Sequence, residues 1–361
     1  MTDKTLQGPR SSNSPMIIKS EDYFSREVAI PSIGREGLQK LQSLSVAIVG
    51  VGGVGSSAAY FLAKSGIGHL KLIDQDIVES TNLARLHSAT SEDLFHPKVE
   101  VLADRLSEPG KWCEIEPIIE TLTDRNADGL LRDVDLIFDG LDNFRTRYIL
   151  NKYAVRTGIP YLFTSAVADQ AHLALLNPPR TACLECVMPH VSDRLEDSCE
   201  TLGVSPSIIG LAGALGTGVA LRFLLSHDSD WADHLVTVDM MGPEFLVTKL
   251  SKRQNCEGCG SSHDSTSEPA RAVTLLCGEH TANVLPPENM TLELEKVGSR
   301  ISAEKVLLCT ASVLVYRHGA FTVSLFRNGR FLIEGVENEN QASSTAKEVA
   351  QYLGMRTPLN A

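Results

Sequence analysis

The stretch SVAIVGVGGVG at residues 45–55 decides the fold, because a short apolar run leads directly into Gly50, Gly52, Gly53 and Gly55. Without Cβ atoms the chain can turn sharply and approach a polyphosphate closely. The helix that opens behind the glycines, over about 54–64, points its first N–H groups at the anion. A second apolar run at 69–73 leads into Asp74, at about the distance a ribose-binding carboxylate occupies in a βαβ nucleotide fold. Strand, glycines, helix, strand and acid in this order predict a nucleotide site. The bland alternative is a plain strand-to-helix turn, and the polar residues that follow, Asp76, Asn82, Arg85 and Lys98, weigh against it.

Outward from this stretch, residues 23–255 alternate apolar strand-like runs with helical patterns, the signature of a mostly parallel sheet covered by helices. Strands are expected at 45–49, 69–73, 114–119, 134–138, 161–165, 171–176 and 235–239, the later ones open to antiparallel pairing. The fold class expected is α/β: a Rossmann-like, doubly wound, mostly parallel sheet. Residues 1–16 read as a polar, Pro/Ser-rich tail and 17–259 as the main domain. Residues 260–270, GSSHDSTSEPA, read as a linker. Residues 271–361 form a small α+β module, strands first and one helix at about 341–353.

Composition narrows the function classes. The chain has 361 residues, is 43% hydrophobic and carries a net charge of −12. That acidic balance, with no Lys/Arg run, excludes general nucleic-acid affinity. The first sixteen residues hold no apolar core of a signal peptide, so a cytoplasmic location is expected. The apolar run at 208–225 carries Arg222 and many small residues. It reads as a buried helix rather than a membrane span, with Gly210, Gly213, Ala214, Gly216 and Gly218 admitting another backbone within the core or across a dimer interface.

Chemistry concentrates in a few places. The run at 134–138 leads into Asp139-Gly140-Leu141-Asp142-Asn143, and doubly wound sheets bind ligands at the carboxyl ends of strands. Asp142 is therefore a candidate Mg²⁺ ligand beside a nucleotide, with capping of the next helix as the alternative for Asp142 and Asn143. Arg85 and Lys98 are the cations assigned to phosphate groups, with a solvated surface role as the alternative. Cys183-x-x-Cys186 and Cys256-x-x-Cys259 have the spacing of a closed, structural Zn²⁺ site, against which disulfides are the rival reading. Cys199 stands apart, ahead of the apolar helix, as a candidate nucleophile or a passive thiol. Cys113, Cys277 and Cys309 read as buried fillers.

Taken together, these residues resemble the superfamily that activates ubiquitin-like proteins, the ThiF/MoeB/HesA adenylyltransferases. The resemblance covers about residues 20–260 and rests on the glycine loop, LIDQD at 72–76, TNLAR at 81–85, PKVE at 97–100, LDN at 141–143 and both cysteine pairs. It implies that Gly52 and Asp74 hold ATP, with Gly50, Gly53, Gly55, Asp76 and Asn143 in the same binding set. It further implies that Asn82, Arg85 and Lys98 contact the phosphates and that Asp142 binds Mg²⁺. In YFSREVAIPSIG at 23–34, Arg26 would reach the active site of a partner subunit, making the working unit a homodimer. Cys199 aligns with a cysteine that forms a thioester or persulfide in some members and is dispensable in others.

The reaction implied is adenylation of the C-terminal glycine of a separate ubiquitin-fold or sulfur-carrier protein ending in Gly-Gly. Residues 273–361 lack the cysteine loop of a rhodanese domain, so sulfur donation is not expected from them. The module is instead expected to recruit the carrier or a downstream conjugating or sulfurtransferase protein, and its removal to leave ATP binding intact. Amino-acid-derived or RNA-base adenylation, an NAD-dependent oxidoreductase and a silent zinc scaffold remain as alternatives.

Overall fold

The computed structural model describes residues 19–107, 112–191, 202–226, 231–242, 244–260, 272–276, 280–286 and 290–355. The tail at 1–16, most of the 260–270 linker, Cys199 and Cys277 lie outside them. The strands of the main sheet are β1 Ser45–Val49, β2 His69–Asp74, β3 Glu114–Ile119, β4 Leu136–Asp139, β5 Tyr161–Val167, β6 Gln170–Leu176, β7 His234–Asp239 and β8 Glu244–Lys249. They lie in the order β3-β2-β1-β4-β5-β6-β7-β8. The first five pair in parallel and the last four antiparallel, β5 belonging to both groups. The longer helices are α1 Gly34–Gln42, α2 Gly53–Lys64, α3 Lys98–Leu106, α4 Phe144–Thr157, α5 Pro206–Ser226 and α6 Glu339–Tyr352.

β1 shows why the sheet is covered on both sides. Successive side chains of a strand face opposite ways, and Val46 and Ile48 enter one core with α2 and α5 while Ala47 and Val49 enter another with α4. Its run is therefore apolar throughout rather than alternating. α5 is the one helix among the described residues long and apolar enough to cross a membrane. It packs along α2, where a Cβ on Gly213 would stand 2.6 Å from the Ser57 Cβ, and against Phe138, 2.9 Å from a Cβ on Gly216.

From β1 the chain winds one way to β2 and β3, and from β4 the other way, so the order reverses between β1 and β4. Gly50 and Gly140 close that seam. Gly50 has φ +84° and a Cβ there would meet the Gly140 backbone at 2.8 Å, while one on Gly140 or Gly55 would overlap the Gly50 carbonyl oxygen. Three chain segments thus meet backbone to backbone, which only glycine permits.

A second pin holds β4 to α4. Asp139 is fully buried, and Arg147 donates to it at 3.2 Å and to the carbonyls of Leu141 and Thr164. Tyr161 Oη donates to the same carboxylate at 2.6 Å. Burial pushes the Asp139 carboxyl up, and Arg147 and Tyr161 work against that.

The six-stranded C-terminal sheet runs β11-β12-β13-β14-β10-β9, built from β9 Val273–Leu275, β10 Thr281–Val284, β11 Val306–Cys309, β12 Val313–His318, β13 Phe321–Phe326 and β14 Phe331–Glu334. α6 covers one of its faces. Two cysteine expectations change here. Cys309 is exposed, because β11 is an edge strand whose alternate side chains face out, and Cys113 is only partly buried. The strand β8 was not expected at all: its six residues are exposed and do not alternate.

Removing the Arg147 guanidinium leaves the buried Asp139 without its charge partner. Arg147→Met should therefore cost about 3–5 kcal/mol of stability in urea unfolding.

Candidate nucleotide site and cysteine cluster

The carboxyl ends of β1, β2 and β4 meet at the reversal of strand order, where open α/β sheets bind ligands. Gly52 ends the turn as the N-cap of α2, with no side chain bonded to the first N–H groups and open space within 4 Å of where a Cβ would stand. Asp74 closes the turn from the side: its Oδ2 accepts from the Val51 amide at 2.7 Å and its Oδ1 from the Asp76 amide at 2.8 Å. Burial, and then the charge of Asp76, raise its pKa to about 6, against the pull of Lys98 and the two amides.

Lys98 Nζ lies 3.0 Å from Asp76 Oδ2. Burial disfavours its charge, but Asp76 and Asp74 more than offset that, so the ammonium is held above its usual pKa. The other Asp76 oxygen is buried without a hydrogen-bond partner. Asn82 is buried, and its side-chain oxygen accepts from the Glu79 amide at 3.3 Å. It ends a short 3-10 turn whose continuation brings Arg85 over the glycines: the Arg85 carbonyl lies 3.4 Å from where a Gly53 Cβ would be. The guanidinium folds back onto the Thr81 carbonyl at 2.8 Å.

Asp142 stands exposed past the end of β4. Asn143 Nδ2 donates to it at 3.2 Å, and Asn143 Oδ1 caps α4 by accepting from the Thr146 amide. Asp74 thus joins the glycine turn directly, Asp76 and Lys98 join it through Asp74, and Asn82 through the Arg85 backbone, while Asp142 lies on the adjoining loop. Arg26 sits exposed on the short helix Ser25–Val28.

The four cysteines converge although their pairs are 73 residues apart. Cys183 Sγ is 3.8 Å from Cys186 Sγ and 3.6 Å from Cys256 Sγ, and Cys186 Sγ is 3.5 Å from Cys259 Sγ. All four lie within 4.8 Å of one another, and a tetrahedron of thiolates about 2.3 Å from one ion has edges of about 3.8 Å. The donor set therefore fits a single tetrahedral metal. The Arg253 amide donates to Cys186 Sγ at 3.5 Å; burial pushes that thiol up, but this bond and its neighbours outweigh it and hold it down at about 7. Val155 of α4 packs on the cluster, so the helix capped by Asn143 ends against it.

Two parts of the site were not read from the sequence. Arg147 shares one α4 face with Leu150, Asn151 and Ala154, and a lone arginine at that spacing within a buried stripe was the available signal. Gln75, between the two site aspartates, carries contacts to the C-terminal module that no local pattern announces.

The chain is similar to known proteins over most of its length. The ThiF family model matches residues 24–259. A sulfur carrier protein adenylyltransferase of Thermus thermophilus is 31% identical over 245 residues, 66% of this chain and 90% of that protein. The sulfur carrier protein ThiS adenylyltransferase of Bacillus subtilis is 28% identical over 332 residues, 89% of this chain and 97% of that protein. That alignment is too long to lie within residues 24–259, so it extends into the C-terminal module. Among solved structures, E. coli MccB with MccA-N7isoASN is similar at a TM-score of 0.58 and 24% identity, over 66% of this chain and 75% of that one, a likeness of fold. With the family model spanning most of its length, and the glycine turn, the two aspartates and the cysteine cluster all falling inside that span, the chain belongs to the ThiF family.

Proposed function

We propose that this chain adenylates the C-terminal glycine of a small ubiquitin-fold or sulfur-carrier protein at the expense of ATP. The observation that supports the reading is the union, at one reversal point, of a helix N-terminus without a side-chain cap, a carboxylate at the β2 end and the Lys98 ammonium, with the Arg85 backbone against Gly53. Family membership supports it over an NAD-dependent oxidoreductase. In the reaction a carboxylate oxygen of the carrier attacks the α-phosphorus, the bond to the bridging oxygen breaks, and pyrophosphate leaves. The carrier ends as an acyl-adenylate.

The residues divide the work by chemistry. Asp74 accepts hydrogen bonds from the ribose hydroxyls, and the α2 amides receive phosphate oxygens. Lys98, held cationic by two aspartates, and Arg85 neutralise charge on the phosphates. Asp142 is exposed at the strand end and is the group that would hold Mg²⁺, which when bound screens the phosphate charge. We read the cysteine cluster as a structural Zn²⁺ site, since four thiolates leave no open position. The working unit proposed is a cytoplasmic homodimer in which Arg26 completes the partner's site, with Cys199 available for a following thioester step.

ATP–pyrophosphate exchange tests the reading directly. Exchange should require a ubiquitin-fold protein ending in Gly-Gly, and Asp142→Ala or Arg85→Ala should lower it about a hundredfold; no exchange with any such carrier overturns the assignment.

Acidity gives a second check. As pH falls through about 6, Asp74 gains a proton and loses an acceptor, so ATP binds more weakly, and the difference between wild type and Asp74→Asn should vanish at the acid end. The stability term runs the other way: a carboxyl with a raised folded-state pKa favours folding increasingly as pH falls through that window.

Metal analysis should find about one zinc per chain. Cys256→Ser should abolish it and lower the melting temperature by more than about 5 °C.

A further inference from the structure

The C-terminal module docks on the segment that follows β2, at Gln75 and Ile77. Its sheet has two buried faces, and strand alternation sorts them. Leu314, Tyr316, Phe331 and Ile333 face α6, while Val313, Val315 and Leu332 face the main domain and pack with Ile77, Phe95 and Ile119. Ile77 is three residues beyond Asp74. Two polar residues of the same docking face, Asn283 and Arg330, are almost wholly buried and converge on Gln75.

Arg330 Nη2 donates to the Gln75 carbonyl and Nη1 to Asn283 Oδ1 at 3.2 Å. Its guanidinium lies 3.7 Å over the Phe326 ring. Asn283 Nδ2 reaches Gln75 Oε1 at 3.3 Å and Thr121 Oγ1 at 3.2 Å, and Thr121 donates to Gln75 Oε1 at 2.8 Å. Gln75 is thus held at both its backbone carbonyl and its side-chain amide, and its neighbours are the two aspartates of the site. An interface needing only to cover apolar surface has no use for this arginine. It is fully buried, and its Nε has no partner, an arrangement that is costly where no function returns the cost. Burial lowers its pKa to about 10, with Asp76, Glu120 and Asp74 opposing, so it stays cationic at neutral pH.

We propose that the C-terminal module is a structural part of the nucleotide site, and that Arg330, acting through Gln75, is the positioning residue that fixes the turn carrying Asp74 and Asp76. The inference rests on the nucleotide reading above. It gives the module a different role from the recruiting one read from sequence: with the module gone, Ile77, Phe95 and Ile119 lose their cover and Gln75 loses its hold, so ATP binding weakens.

The test uses full-length variants, with ATP affinity by calorimetry and amide hydrogen exchange without nucleotide. Arg330→Met should raise the Kd and KM for ATP about tenfold or more, with kcat at saturating ATP within about twofold. Exchange at the amides of Val51 and Asp76, both bonded to Asp74, should quicken about tenfold, while β12 and β13 stay protected. Arg330→Lys should recover part of the affinity. Ser312→Ala removes a docking bond to Glu100 Oε1 that touches neither Gln75 nor Arg330, and it should leave ATP affinity unchanged. The proposal is overturned if Arg330→Met melts cooperatively yet keeps wild-type affinity and exchange, or if Ser312→Ala weakens ATP as much. A wild type that binds no ATP overturns the nucleotide reading instead, and the exchange rates then still decide whether Arg330 holds the turn.

Discussion

Everything in the main domain depends on the backbone contact where Gly50, Gly55 and Gly140 meet. The Gly50 amide still bonds to Ile73 at the end of β2, and the Gly140 amide to Val49 at the end of β1. The ends of three parallel strands are therefore tied at one level before the chain leaves them. No side chain fits between them, so their tips are brought close enough for groups from β2, the glycine turn and the Asp142 loop to address one bound molecule. Packing of α5 on α2 and Phe138, through Gly213 and Gly216, presses the same assembly from one face of the sheet.

Electrostatics around that contact follow from the low polarity of the strand ends. Two buried carboxylates, Asp74 and Asp139, sit at the tips of β2 and β4 and are treated differently. Asp139 is met by an arginine and a tyrosine and serves the fold. Asp74 is met by two amides, and burial and the Asp76 charge raise its pKa to about 6 against the pull of Lys98. The same sheet thus holds one acid paired with an arginine and one held by amides at the glycine turn, and α4 links the first of them to the cysteine cluster at its far end.

Much of this was legible because it is local. Glycine spacing, the apolar runs of β1 and β3 and the paired cysteines are each written within a dozen residues, and β1 and β3 begin and end where the sequence reading put them. What escaped is made by residues far apart or by surroundings. β8 carries no alternation because both its faces are exposed. Arg147 falls on the buried stripe of α4, but its partners on β4 and β5 are set only by the fold. Cys309 resembles a core residue in an apolar run, but an edge strand turns it outward. Arg330 follows Asn328 and Gly329 and reads as the flank of a hairpin, yet its partner carbonyl is 255 residues earlier.

That last separation has a consequence for how the protein is made. A ribosome emits the chain from the N-terminus, and domains fold largely in the order they emerge. The glycine turn and the first five strands can assemble while the final quarter of the message is still being read. The guanidinium that grips Gln75 arrives only with β14. A nascent chain therefore presents the turn at Gln75 without its arginine contact until synthesis nears its end.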